Sequence, residues 1–135
     1  MQEVVKPRIE SESELTIRIC QYIKYQYPDV VFTTEQSGLK VTKGQAIILS
    51  KTRSSSALPD LWLLEAKKGY HGACIELKRE DVVLYKKNGD LIKNKHIAEQ
   101  EEMQSKLRNK GYFCEFAVGY NDAKRLIDYY LIEKF

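Results

Sequence analysis

Two carboxylates and an ammonium stand at a spacing that can bring them to one point: Asp60, directly after Pro59, then fifteen residues, then Glu76-Leu77-Lys78. Side chains along a strand alternate faces, so Glu76 and Lys78 project together while Ile75 and Leu77 point the other way. With a turn centred near residues 68 and 69, Asp60 on the preceding strand falls across from Glu76 to Lys78. Such a trio suits metal-assisted hydrolysis of a phosphodiester. Mg²⁺ takes oxygen ligands, keeps several waters and is typically held by one or two carboxylates, with Mn²⁺ able to occupy the same donors. Asp60 and Glu76 are therefore the expected metal ligands. An ammonium beside them can orient or deprotonate the attacking water and offset charge on the phosphorus centre, which is the role expected of Lys78. Taken one at a time, such residues are ordinary solvated charges. Their conjunction is less ordinary, because Glu76 and Lys78 interrupt an apolar strand and Asp60 opens another.

Two further residues join this set by helical spacing. Glu12 lies three and seven positions before Leu15 and Ile19, which puts it on their inward stripe, whereas Glu14 points away. A carboxylate on a core-facing stripe needs a cation to justify its burial, so Glu12 is expected as an additional or supporting acid. Gln100 falls on an inward stripe with Gln104 and Leu107, within reach of Lys78, a metal-bound water or a phosphate.

The elements that must position these residues follow from periodicity and punctuation. A helix is expected over 11–27, closed by Pro28, and a strand over 30–34. The polar and basic segment 35–58 holds a short helix near 42–52. Strands at 60–64 and 73–78 flank a turn at 67–72 and form a hairpin. A mobile, charged loop over 79–96, with Lys-Asn-Gly-Asp at 87–90, can form a small hairpin of its own. A helix over 97–110 ends before Gly111, a strand covers 112–118, and Asn121 is expected to cap a last helix. This order predicts an α/β fold with a mixed central sheet flanked by helices.

The chain has 135 residues, 43% hydrophobic and 30% charged, which fits one soluble globular domain with a real core. Its net charge of +3 permits a polyanionic partner without demanding one. Within the segment leading to Asp60, however, Lys40, Lys43, Lys51 and Arg53 occur with no acid between them, as phosphate binding would require. Cys20, Cys74 and Cys114 are odd in number and widely spaced, so reduced thiols are expected rather than disulfides or a zinc site. His71 and His96 each stand alone in sequence and are expected to be surface or structural residues. No stretch approaches the length of a membrane span and no signal-type apolar segment begins the chain, so a cytoplasmic protein is expected.

The Pro-Asp at 59–60 and Glu-Leu-Lys at 76–78, set in an α-β-β-β-α-β order, resemble the PD-(D/E)XK nucleases and their restriction-endonuclease-like core. The stretches SESELTIRICQYI, LPDLWLLEAKKGYHGACIELK and HIAEQEEMQSKLRNKGYFCEFAVGY are similar to the VRR-NUC branch, in particular its short stand-alone phage and prophage members. The resemblance spans residues 11 to 132. It implies a Mg²⁺-dependent endonuclease that recognises branched DNA by structure, including four-way Holliday junctions, in a bacterial cytoplasm. It implies Glu12 as the first-helix acid, Asp60 and Glu76 as metal carboxylates, the Leu77 main-chain carbonyl as a further ligand, Lys78 as the lysine and Gln100 as the downstream glutamine. Paired cuts across a junction need two active sites, so a homodimer is expected, with the apolar tail at 129–135 contributing to its contact. Other readings of the same residues are a flap, nicking or non-specific nuclease, or a DNA-binding module without turnover.

Overall fold

The computed structural model describes residues 7–35 and 40–132. Ser11 opens the first helix, α1 (Glu12–Gln26), by accepting from the Glu14 N–H through its side chain. Strand β1 (Phe32–Thr34) leads to helix α2 (Lys43–Thr52), which starts with a reciprocal cap between Thr42 and Gln45. Strands β2 (Leu61–Leu63) and β3 (Ala73–Lys78) follow, then helix α3 (Lys95–Asn109), strand β4 (Phe113–Val118) and helix α4 (Tyr120–Leu131). The sheet runs in the order β1-β2-β3-β4, antiparallel across the first two pairings and parallel between β3 and β4. It is a mixed sheet flanked by helices, as the sequence leads one to expect.

Alternation along β3 divides the molecule into two layers. Ala73, Ile75 and Leu77 face a core built from Leu15, Ile19 and Ile23 of α1, Leu61 and Leu63 of β2, and Ala123, Leu126, Ile127, Tyr130 and Leu131 of α4. Cys74, Glu76 and Lys78 face the opposite side, under α3. There Cys74, Cys114 and Leu107 form one small apolar cluster and Leu84, Ile97 and Phe116 another. A strand buried on both faces is fixed in register, because a one-residue slip would drive Glu76 and Lys78 into the main core.

Several expected boundaries shift. The hairpin turn closes through a Lys67–Tyr70 bridge, with Lys68 and Gly69 both at positive φ. The charged loop forms its own hairpin at Tyr85 and Leu91, yet Leu84 ties it to the body at 5% exposure. Asn94 starts α3 two residues early by accepting from the Ile97 N–H at 3.1 Å. Asn121 does not cap α4: the helix begins at Tyr120 directly after Gly119, whose φ of 82° turns the chain from β4 into the helix without an intervening loop. The thiols of all three cysteines are free, with Cys74 and Cys114 buried. Among the described residues, no helix is long and apolar enough to cross a membrane.

Candidate active site

The pairing of Leu61 with Ile75 sets Asp60 opposite Glu76, at the open end of the hairpin. Asp60 lies one residue before β2, and its Oδ2 accepts from the Leu77 N–H at 2.8 Å, which crosses the two strands and fixes the carboxylate. The amide and carbonyl of one strand residue point to the same neighbour. The Leu77 carbonyl therefore faces the Asp60 side as well.

Glu76 and Lys78 are nearly buried, at 4% and 6% exposure, and the Lys78 ammonium stands 4.0 Å from Glu76 Oε1. Gln100 reaches down from α3 and donates to Glu76 Oε1 at 2.9 Å. It does not bond Lys78, one of the partners the sequence suggested. The Glu76 carboxyl meets the Asp60 carboxyl only through a proton that the two would share; without it Glu76 Oε2 is buried with no hydrogen-bond partner, as is Gln100 Oε1. Unpartnered buried acceptors of this kind call for a proton donor or a cation.

Electrostatics point the same way. Burial, then the charge and hydrogen bond of Asp60, push the Glu76 carboxyl up to about 10, against the pull of Lys78. Asp60 is raised too, chiefly by burial, although the Leu77 N–H and Lys78 oppose it. Two carboxyls this close and this dry cannot both stay ionised by themselves. The proton they compete for settles on Glu76. A divalent cation would take that proton's place, and the donor set fits one: Asp60, Glu76 and the Leu77 carbonyl offer oxygen alone, as Mg²⁺ or Mn²⁺ prefers. Among the described residues, no group of three or more His, Cys, Asp and Glu is placed to hold a metal ion.

Glu12 departs from its expected place. It is exposed rather than buried on the inward stripe, in the first position of α1 and beside an open cavity. Its charge nonetheless reaches Glu76, and it lines with Asp60, Glu35 and Thr34 a cavity of about 420 Å³ that opens along α1. Glu14 points elsewhere and binds Arg8 at 2.7 and 2.8 Å.

The basic segment is only partly gathered. Lys40, Lys43 and Lys51 are exposed, the latter two on α2, a helix with no buried residue. Arg53 is turned inward, and its Nη1 lies 3.1 and 3.2 Å from the two oxygens of Glu35. A phosphate approaching Arg53 therefore meets a guanidinium already engaged by a carboxylate.

One neighbour escaped the sequence reading. His96 is a surface residue, as expected, but not an isolated one: its Nε2 lies 3.1 Å from Gln100 Nε2, one helical turn away. The signal was its spacing of four from Gln100 and eight from Gln104, a single helical face that carries polar residues into the site. His71, by contrast, stays at the distal turn beside Tyr112.

No family model matches the chain, and no curated protein does. A solved structure of a VRR_NUC domain protein superimposes with a TM-score of 0.61 at 19% sequence identity, over 94% of this chain and 91% of the other. The two chains share a fold across nearly their whole length.

Proposed function

We propose that the chain is a metal-dependent DNA endonuclease that hydrolyses phosphodiester bonds in branched DNA. The observation that carries this reading is half-buried Asp60 opposite buried Glu76 and Lys78, with Glu76 Oε2 meeting no protein N–H donor. The fold shared with a VRR_NUC domain protein supports it at the level of architecture.

Asp60 and Glu76, with the Leu77 carbonyl, would hold Mg²⁺, or Mn²⁺ in its place. The ion supplies Lewis acidity toward a phosphoryl oxygen and lowers the pKa of water. Asp60 is held for this task by the Leu77 N–H, and Glu76 by the Gln100 amide. Lys78, kept from solvent under α3, presents an ammonium where charge develops on the phosphate and where the attacking water needs orienting. Glu12 adds a carboxylate to the cavity that Asp60 also lines. Exposed Lys40, Lys43 and Lys51 are the proposed phosphate contacts, and Arg53 would join them only by leaving Glu35.

The test is a cleavage panel of duplex, flap, splayed-arm and four-way-junction DNA with Mg²⁺ or Mn²⁺. The expected result is metal-dependent cutting that prefers a branched substrate. Equal cutting of every substrate would leave a non-specific nuclease, and DNA binding without cutting under any metal would leave a binding module.

A further inference from the structure

A side-chain amide can offer a neighbour either its NH₂ or its oxygen, and two neighbours of Gln100 compete for the NH₂. Glu76 Oε1 stands 2.9 Å from Gln100 Nε2 and His96 Nε2 stands 3.1 Å from the same atom. Glu76 Oε1 accepts one of the two N–H groups. The imidazole nitrogen facing the other N–H is satisfied by accepting, as Nε2 does in the tautomer that carries its proton on Nδ1. Both amide protons are thereby used, and Gln100 Oε1 remains a buried acceptor with no partner.

Resting on the nuclease reading above, we propose that His96 is a positioning residue for the metal site, acting through Gln100. By accepting the second N–H it fixes which end of the amide meets Glu76. With that acceptor removed, the amide is free to flip. Its oxygen would then face Glu76 Oε1, acceptor against acceptor, and the carboxyl would lose the donor that orients it. The acceptor thus keeps the NH₂ end of Gln100 on Glu76, where it orients the carboxyl.

A purely structural role accounts for little here. His96 is exposed in the first turn of α3, and Asn94 already caps that helix. Its side chain belongs to none of the three apolar clusters. Outer contacts of this kind commonly tune metal affinity without touching the ion.

Three variants separate the possibilities: His96→Ala removes the acceptor, His96→Gln offers an amide oxygen in its place, and His96→Lys offers only donors. The first readout is the pair of Gln100 side-chain NH₂ resonances in ¹⁵N-labelled, metal-free protein. The second is the Mn²⁺ concentration at half saturation, read from the paramagnetic signal of the free ion. In His96→Ala and His96→Lys one Gln100 proton should lose its hydrogen-bonded shift, and half saturation should need about tenfold more Mn²⁺. His96→Gln should restore both. Gln100 resonances that ignore His96→Ala, or a His96→Gln variant no better than His96→Ala, would overturn the proposal. If wild-type protein cuts DNA while those resonances stay fixed, this inference fails and the nuclease reading stands. If the resonances move as expected but no DNA is cut, the positioning holds and the nuclease reading fails.

Discussion

Glu76 is held where its charge is least welcome, and its stability signature should reveal that. In the metal-free protein its folded pKa, pushed up to about 10, stands far above the ordinary 4.5. The native state then keeps a proton that the unfolded chain has released, so stability falls as pH climbs from about 4.5 toward about 10. Each pH unit inside that window costs at most about 1.4 kcal/mol. Glu76→Gln keeps the shape and removes the titration. Metal-free Glu76→Gln should therefore melt higher than wild type at pH 8, with the gap closing toward pH 4.5 and shrinking on addition of Mg²⁺. Parallel melting curves across that range would show that the carboxyl is not strained. Lys78 is expected to act on turnover instead: Lys78→Ala should lower kcat about 100-fold or more while leaving metal affinity nearly unchanged. A calorimetric titration in which metal affinity is the chief loss would remove the lysine from its assigned role.

At the scale of elements, the site depends on α1 and α4 being braced behind the sheet. Tyr22 and Tyr27, at the end of α1, both donate to Asp128 Oδ1 on α4, at 2.6 and 2.7 Å, while Lys124 meets Oδ2 at 3.0 Å. Burial tends to raise Asp128, but the two phenols and the ammonium outweigh it and hold the carboxylate below its ordinary 3.8. Such a group contributes stability that is present above about 3.8 and drains away as pH falls through the folded value. Asp128→Ala should cost about 1–3 kcal/mol in urea unfolding at pH 7 and much less at pH 3. A loss of equal size at both pH values would indicate packing rather than hydrogen bonding. Most of this framework was legible beforehand, because period-two and period-3.6 patterns locate buried faces, and alternation alone placed Glu76 and Lys78 opposite Ile75 and Leu77. The missed features were those that pattern does not encode. Gly119 replaces a side-chain cap with a backbone angle, Glu12 stands in the first position of α1 beside an open cavity, and His96 matters through an amide whose orientation only three-dimensional neighbours decide.

For the whole molecule, the proposed function requires a surface that meets DNA and two copies that act together. Lys51 lies exposed on α2, so Lys51→Ala should weaken binding to every DNA structure alike and flatten the salt dependence by about one unit. A loss confined to one sequence would argue for base reading. Of the apolar tail, Tyr130 and Leu131 are committed to the core, Phe135 lies outside the described residues, and Tyr129 and Ile132 remain exposed at 57% and 44%. A homodimer is proposed because one chain brings one carboxylate pair, and sedimentation with and without a junction should show two copies. A monomer in both states would move the account toward a flap or nicking enzyme. The central claim, that Asp60 and Glu76 form a metal-dependent hydrolytic centre, is tested most directly by single-turnover cleavage of a four-way junction with Mg²⁺. Wild type, Asp60→Asn and Glu76→Gln are compared at matched DNA occupancy. Cutting by wild type alone, with junction affinity kept in both variants, is the predicted result; cutting at the wild-type rate by either variant would contradict it.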